Sequence, residues 1–284
     1  MKFYKALPLA AVAVLATACG GDSGSIGTVE PGPVAQVRFV NAAPDTGAVN
    51  FRFVDKLENL PTFLAVPFRG GSGLYQGIEA GPRAIRVFPL DNTVAGASIR
   101  LVDTTFTFQP NQKYTIVYVG RTKAPAGDAA ADRLLIIPDT LPTPGAGNIA
   151  VRVIHAAPGT GPVDVYIGKN GLAPVTATVA KISNVAYLGH SAFATLPIRP
   201  AGADSLYSFA VTAAGSTTPL FTSTPNEPGA PISGSVSAQA GVQISNSVLT
   251  VIVFPGATAG TRAATTSNTT AAAAAFLDNI PAIP

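Results

Sequence analysis

The chain has 284 residues, 47% of them hydrophobic, and its mean hydropathy is +0.35. This is enough apolar sequence for a packed core, which excludes a wholly disordered chain, and the length suggests about two domains. Charged residues make up 12% of the chain, about half of the typical ~25%. Although the net charge is +3, no run of Lys or Arg provides the basic surface that phosphate contacts require. We therefore expect no nucleic-acid partner.

The N-terminus has the three parts of a secretory signal peptide. Two lysines precede an apolar run at residues 6–16, which is too short to span a bilayer as a helix. Small residues then lead to a cysteine. The segment resembles a bacterial lipoprotein signal through Leu15, Ala18 and Cys19, and this resemblance implies that residues 1–18 are removed and that Cys19 is acylated. The alternative is an ordinary secreted protein in which Cys19 is incidental.

An acylated Cys19 would make the membrane itself a partner, since two or more acyl chains give stable attachment. Residues 19–33 contain this cysteine and a stretch rich in Gly, Ser and Pro, which is typical of a flexible tether. Gly20 and Gly21 contain no inner-membrane retention residue. We therefore expect an exported protein that is lipid-anchored to the cell envelope, at the outer membrane or cell surface. Because Cys19 is the only cysteine, packing rather than a disulfide must stabilise the fold.

The most informative pattern in the chain is an internal repeat. Residues 36–51 align without gaps on residues 150–165, and eight of the sixteen positions are identical. Later segments recur in the same order, with residues 114–120 matching 249–256 and residues 139–142 matching 278–281.

This repeat predicts two tandem modules, residues 34–142 and residues 148–284. Residues 142–147, which are rich in Pro and Gly, would join them. One alternative stays open, in which both copies jointly form one larger barrel or sandwich.

The local patterns in both copies predict β-strands. Apolar residues alternate with other residues, as in strands with one buried face, at residues 49–53, 85–87, 163–167 and 207–211. Residues 116–119 and 248–254 are almost continuously apolar, as in central strands covered on both faces. We interpret Ala271–Ala275 as a loop that enters the last strand. About seven short strands in each copy, without amphipathic helices, predict an all-β fold of two tandem antiparallel immunoglobulin-like β-sandwiches.

The second copy also resembles a known family. Four segments are similar to the bacterial family catalogued as domain of unknown function 4397, namely residues 151–158, 163–166, 250–251 and 278–281. The resemblance extends to the first copy, where Asn41 replaces the histidine of the family and residues 50–52 replace its Asp-Val-Tyr. It implies an exported sandwich module that occurs in cell-envelope proteins, often in tandem, and that has no established activity.

Few residues are candidates for catalysis. The two histidines, His155 and His190, belong to no cluster with zinc spacing, and we expect neither a metal nor a cofactor. His190, Ser191 and Asp204 include the residue types of a nucleophilic triad, but adjacent residues on a strand point to opposite faces. No phosphate-binding glycine loop and no recognisable carboxylate pair for glycoside cleavage is present. We therefore predict that the protein is not an enzyme.

His155 lies where the first strand of the second copy meets an Ala-Ala-Pro turn. We expect its ring to bond the backbone of the turn, or Asp164 across the hairpin. The equivalent Asn41 supports this role, because an amide replaces a neutral imidazole as donor and acceptor but not as a base. Five tyrosines are expected to pack in the sandwiches rather than to form an exposed binding row: Tyr75, Tyr118, Tyr166, Tyr187 and Tyr207.

These features favour a noncatalytic cell-envelope lipoprotein that uses loops or edge strands to bind an envelope protein or polysaccharide. The candidate binding residues lie in and near the first turn of each copy: Asn41, Pro44, Asp45, Thr46, His155, Pro158, Thr160 and Asp164. Two alternatives remain open. One is a carbohydrate-binding or hydrolytic accessory protein that acts on wall polysaccharide, and the other is a structural spacer without a ligand.

Overall fold

The computed structural model describes residues 32–56, 63–91, 93–124, 130–169, 173–199, 207–223, 243–279 and 281. Residues 33–284 form one compact unit. The predicted signal peptide, Cys19 and most of the predicted tether lie outside the described residues. In the described part of the chain, no helix has the length and apolar character needed to cross a bilayer.

The first repeat forms a sandwich of two sheets. Its strands are β1 (Val34–Asn41), β2 (Val49–Phe53), β3 (Gln76–Glu79), β4 (Gly81–Pro89), β5 (Val102–Phe108), β6 (Lys113–Val119) and β7 (Arg133–Asp139). One sheet has the order β3-β1-β6-β7 and the other β2-β4-β5. A short helix, α1 (Val94–Ala97), follows β4, and the Thr93 hydroxyl caps it by accepting a hydrogen bond from the Gly96 N–H.

The second repeat forms a sandwich of the same kind. Its strands are β8 (Asn148–His155), β9 (Val163–Lys169), β10 (Thr178–Val185), β11 (Ala194–Pro197), β12 (Tyr207–Ala213), β13 (Pro219–Ser223), β14 (Val248–Phe254) and β15 (Ala272–Asn279). One sheet has the order β11-β8-β14-β15 and the other β10-β9-β12-β13. Apart from β10, the strand order repeats that of the first sandwich.

The all-β prediction is confirmed, and one detail of it is corrected. Each sandwich contains a parallel pair, β1 with β6 and β8 with β14, so the sheets are not purely antiparallel. The two strands of each pair are separated along the chain by several other strands, most of which belong to the opposite sheet. That long crossover is what parallel pairing requires.

Each sandwich has its own apolar core. The first core is rich in aromatic rings, and the ring centroid of Phe39 lies 4.2 Å from that of Phe51 and 4.7 Å from that of Phe63. The strand register places Val153 at the position of Phe39, in a second core made mostly of Val and Ile. The alternation predicted at residues 49–53 is observed, because the inward-facing residues of β2 are buried.

A third apolar cluster lies between the two sandwiches. Val117 and Val119 of β6 meet Ile252 and Phe254 of β14 there, while Ile116 faces the core of its own sandwich. The two central strands are therefore covered on both faces, as their continuous apolar sequences predicted. The sheets of the two repeats remain separate, so the repeats form two sandwiches in contact rather than one joint barrel.

Two ion pairs cross this interface in reciprocal fashion. Arg38 on β1 lies 2.6 Å from Asp278 on β15, measured from Nη2 to Oδ1, and neither side chain is exposed. Arg152 on β8 pairs with Asp139 on β7, and these side chains are also buried. Burial raises the pKa of the Asp278 carboxyl, and the guanidinium groups of Arg38 and Arg152 oppose that shift. Each sandwich thus depends on the other to neutralise a buried charge.

Aromatic rings cover the two guanidinium groups. Arg38 lies 4.9 Å from the ring centroid of Tyr75, and Arg152 lies 4.9 Å from that of Phe193. The Tyr75 hydroxyl also donates to Asp139, at 2.6 Å. The ring positions are equivalent in the two repeats, since each ring comes directly before the edge strand that pairs with β1 or β8.

The prediction of a loop at Ala271–Ala275 is wrong for four of the alanines. Ala272–Ala275 belong to β15 and pair with residues 251–254 of β14. Ala273 and Ala275 pack against the second core, whereas Ala274 packs against the interface cluster. Pairing and packing against an apolar central strand outweigh the low strand preference of alanine.

Candidate functional site

The turns after β1 and β8 lie at the end of the compact unit opposite Pro33. β1 starts beside Pro33 and runs to the turn at residues 42–47, and β8 runs to the turn at residues 156–161. The two turns lie at the same end, because contacts between the repeats reach both of them. The Pro44 carbonyl accepts a hydrogen bond from the Thr258 N–H at 2.8 Å, for example.

Asn41 and His155 perform the same structural task in these two turns. The Asn41 Oδ1 accepts from the Ala43 N–H at 3.1 Å, and its Nδ2 donates to the Gly47 carbonyl at 2.8 Å. In the second repeat, the His155 Nδ1 accepts from the Ala157 N–H at 3.3 Å, and Nε2 lies 3.1 Å from the Gly161 carbonyl. Only a neutral imidazole with its proton on Nε2 satisfies both contacts. The predicted hydrogen bonding to the turn is thus observed.

Burial lowers the pKa of the His155 imidazole, and hydrogen bonding to the backbone of Gly161 and Thr160 opposes the shift. Because the folded pKa is below the unfolded value of about 6.5, His155 contributes stability above that pH. This contribution is lost as the pH falls, since the unfolded chain binds the proton more readily.

The His155→Asn variant should fold normally and lose stability less steeply than the wild type between pH 7 and pH 5. His155→Ala should cost about 1–3 kcal/mol at pH 7, because it leaves buried backbone groups without partners. Urea unfolding at several pH values measures both effects. An equally large loss for the Asn and Ala variants would contradict the shared role of Asn41 and His155.

Asp164 does not bond His155. Its carboxylate accepts from the Asn184 N–H at 2.8 Å, from the Gly215 N–H at 2.9 Å and from Lys181 at 2.8 Å. These contacts hold the chain on both sides of β9. They give Asp164 a structural role, and a binding role for it stays a prediction.

Asn50 stands at the position of Asp164 in the first repeat, and its Oδ1 accepts from the Ala65 N–H at 2.8 Å. Ala65 and Asn184 both have a positive φ, of 52° and 55°. Residues 50–52 depart from the Asp-Val-Tyr pattern, but Asn50 still makes the backbone contact that Asp164 makes. An amide oxygen replaces a carboxylate oxygen as the acceptor.

Burial corrects the expectation that the first turn is free to contact a partner. Asn41, Pro44 and Thr46 are buried, and Asp45 is half-buried. Asp45 accepts hydrogen bonds from the backbone N–H and the hydroxyl of Thr122, at 3.3 and 2.9 Å. The second repeat packs over this turn, which is why the sequence of the turn alone did not reveal its burial.

The turn of the second repeat is more open. Pro158 is buried and Thr160 is half-buried, but Gly159 and Gly161 are exposed. Arg121 of the first repeat reaches the Pro158 carbonyl at 3.5 Å. The first repeat therefore braces one side of this turn and leaves the other side accessible.

A groove of about 430 Å³ lies on that accessible side. It opens between β13, which is an edge of one sheet, and the start of β15, which is an edge of the other. Among the described residues, its wall carries no ionisable side chain, and the Thr160 hydroxyl is the only polar side-chain group that lines it. The lining consists of Val211, Ala213, Leu220, Phe221, Val253 and Ala271, with residues 157 and 159–161 of the turn.

The first repeat differs at the equivalent place, where a buried tyrosine stands in the position of a groove-lining valine. The strand registers place Tyr118 at the position of Val253, and Asp132 at the position of Ala271. Tyr118 is fully buried, and its hydroxyl donates to Asp132 at 2.7 Å. Burial raises the pKa of the Tyr118 phenol, so it stays protonated as a donor. At the groove, the second repeat therefore differs from the first at two positions, with Val253 in place of Tyr118 and Ala271 in place of Asp132.

The five tyrosines singled out in the sequence are not exposed. Tyr118, Tyr166 and Tyr207 are buried, and Tyr75 and Tyr187 are half-buried, which confirms that the five tyrosines form no exposed row.

His190 is exposed, and the Ser191 hydroxyl accepts from the Val153 N–H and donates to the Ala192 carbonyl. Asp204 lies outside the described residues. Within the described ranges, no three His, Cys, Asp or Glu side chains are grouped closely enough to hold a metal ion.

Apart from Thr160, the side chains of the groove were not among the sequence candidates. Valine, alanine and leucine in strands indicate a core, and nothing local distinguishes Val253 from a buried valine. The one signal was the difference between the repeats at Tyr118 and Val253, in segments that otherwise match.

Comparison with solved structures finds distant similarities. The Bacillus anthracis TIE protein is 9% identical with a TM-score of 0.21, and the match covers 64% of this chain but only 29% of that one. A streptococcal virulence factor, described by its α-glucan binding, is 11% identical with a TM-score of 0.21, covering 62% of this chain and 79% of the other. A protein from Bacteroides ovatus, described as a candidate adhesin, is 10% identical with a TM-score of 0.24, covering 84% and 96%.

No curated protein matches the sequence. One family model matches it, from Ala35 at the start of β1 to Tyr166 in β9. The match therefore takes in the first sandwich and the opening strands of the second. Residues 35–166 of this chain are a match to the family described as Domain of unknown function (DUF4397).

Proposed function

We propose that this protein is a noncatalytic binding protein of the cell envelope, with modules at residues 34–142 and 148–284 and a lipid anchor at Cys19. The groove of the second sandwich carries the proposal. It is a concave, apolar pocket with a volume of about 430 Å³, and it belongs neither to the interface between the repeats nor to a closed core. Surfaces of this kind are the usual sites of ligand binding.

The position of the groove supports the proposal that the protein presents it to another envelope component. The turn at residues 156–161 borders it, at the end of the unit opposite Pro33. A tether anchored at Cys19 would enter this unit at Pro33, and the groove lies at the other end of β1 and β8. Another envelope component would then be the partner that reaches it.

The chemistry of the groove favours binding over catalysis. No acid or base lines it in the part of the chain that the structure describes, and the imidazole of His155 is held by the turn backbone. Carbohydrate sites combine aromatic rings with several polar groups, whereas this groove has one ring, that of Phe221, and one hydroxyl, that of Thr160. An apolar ligand therefore suits it better than wall polysaccharide, and a spacer without a ligand would need no groove.

Replacing Leu220 with Asp should weaken partner capture by about tenfold or more, since it removes apolar contact and places a charge in an uncharged groove. Leu220 is 54% exposed, so the substitution should leave the fold intact. The tagged full chain would be cross-linked in intact envelopes, and its partners would be quantified by mass spectrometry.

Leu74→Asp is the matched control, because Leu74 is 52% exposed and lies in the first repeat, away from the groove. It should capture the same partners as the wild type. Equal yields of every partner from wild type, Leu220→Asp and Leu74→Asp would refute a binding role for the groove.

A further inference from the structure

We infer that the groove of the second sandwich accepts an uncharged side chain, of about the size of a phenylalanine, carried by an extended peptide segment that pairs with β13. This inference rests on the proposed function and specifies its ligand.

The first repeat indicates the size and shape of the occupant. There the equivalent space is filled by the ring of Tyr118, which is fully buried and lies edge-on to Phe51, with 6.4 Å between the ring centroids. The second repeat keeps the surrounding strands but has Val253 at this position. The space that an internal ring fills in one sandwich is thus open to an external ring in the other.

The lining indicates the charge of the occupant. Ala271 stands where Asp132 accepts the Tyr118 hydroxyl, so the second repeat offers no carboxylate to a phenol. Val211, Phe221 and Val253 supply apolar contact, and no described side chain in the wall can neutralise a charge. A charged side chain would lose its hydration there without compensation, whereas Phe or Leu would gain contact.

The edge strand indicates how the occupant is presented. Among the described strands, β13 pairs only with β12 and is the edge of its sheet, and an edge strand can accept a further strand. Leu220 and Phe221 lie on this strand and also line the groove. In an added strand, alternate side chains point to one face, so a single residue can enter the groove while the main chain pairs with β13.

The test measures binding of blocked, fluorescein-labelled pentapeptides to the full chain by fluorescence anisotropy. The peptide Thr-Val-Phe-Val-Thr should bind at least about tenfold more tightly than versions with Ala or Lys in place of Phe. N-methylation of the two Val residues should also weaken binding by about tenfold, because it blocks strand pairing.

Two variants locate the peptide on the molecule. Val253→Tyr with Ala271→Asp transfers the tyrosine and carboxylate of the first repeat and should abolish binding. Leu220→Asp should weaken peptide binding at least about tenfold. If the double variant does not fold, this single variant shows whether the peptide binds in the groove. Leu74→Asp should bind as the wild type does.

Equal affinity for the Phe and Ala peptides, or binding that survives Leu220→Asp, would overturn the inference. Groove-dependent binding of dodecyl maltoside without peptide binding would also overturn it, because it would indicate a lipid-like ligand. A second copy of the chain seated in the groove, detected by light scattering, would overturn it as well. If no peptide binds while Leu220→Asp still loses its envelope partner, the ligand class is wrong and the proposed function stands. If Leu220→Asp captures its partners normally, the proposed function itself fails.

Discussion

Arg38→Met should lower the free energy of unfolding by about 3–5 kcal/mol at pH 7, which is the usual cost of removing one member of a buried ion pair. The variant leaves the Asp278 carboxylate in the interface between the repeats, where neither side chain of the pair is exposed. Packing of the methionine side chain cannot offset this loss, since methionine carries no charge that could neutralise Asp278. Urea unfolding of the full chain measures the change.

The pH dependence of the Arg38→Met variant gives a second readout. Burial raises the pKa of Asp278, so the folded state holds its proton more tightly than the unfolded state does. A carboxyl with a raised folded pKa loses stability as the pH rises above its unfolded value of about 3.9. The difference between variant and wild type should therefore shrink as the pH falls from 7 toward 4.

The matched controls separate burial from charge. Arg100→Ala breaks the exposed pair with Asp103 and should leave the unfolding midpoint almost unchanged. Arg38→Met combined with Asp278→Leu should recover most of the lost stability, because no uncompensated charge remains. Similar small shifts for Arg38→Met and Arg100→Ala would show that the interface does not depend on its ion pairs.

Phe39→Ala should lower the free energy of unfolding by about 3–5 kcal/mol, the range for deleting a large buried aromatic side chain. Phe39 is fully buried and its ring stacks on Phe51 and meets Phe63 edge-on, so its loss leaves a cavity that several rings would have to move to fill. Chemical denaturation of the full chain, with circular dichroism as the signal, measures this effect.

Val153 supplies the comparison for Phe39, because it occupies the same position in the second core. Val153→Ala should destabilise the chain less than Phe39→Ala, since fewer atoms leave the core. Phe39→Val should fall between the wild type and Phe39→Ala. Equal losses for Phe39→Ala and Val153→Ala would mean that the aromatic core of the first sandwich contributes no more than aliphatic packing does.

Much of the fold could be predicted from local patterns. Period-two alternation located β2, β4, β9 and β12, and the aligned segments at residues 36–51 and 150–165 revealed the repeat. The role of His155 followed from Asn41 at the same place, because the two side chains share only their ability to donate and accept hydrogen bonds. These inferences succeeded since each depends on neighbours along the chain or on matching positions.

Which residues are exposed to solvent could not be predicted in the same way. Pro44 and Thr46 occupy a turn that is typical of a solvent-exposed loop, yet the second repeat buries them. Asp164 is an acidic residue next to the second turn, yet it holds backbone on both sides of β9. In both cases the decisive contact comes from residues distant in sequence.

The sequence by itself determined that the chain is an all-β protein with two related copies, and it predicted hydrogen bonding by Asn41 and His155, because strand periodicity and turn chemistry are local properties. Only the tertiary structure decided that Arg38 pairs with Asp278, that the first turn is buried and that a groove opens beside Val253. These outcomes depend on which sheet faces pack together and on the space left between sheet edges. Long-range packing sets both, and residue order along the chain does not reveal them.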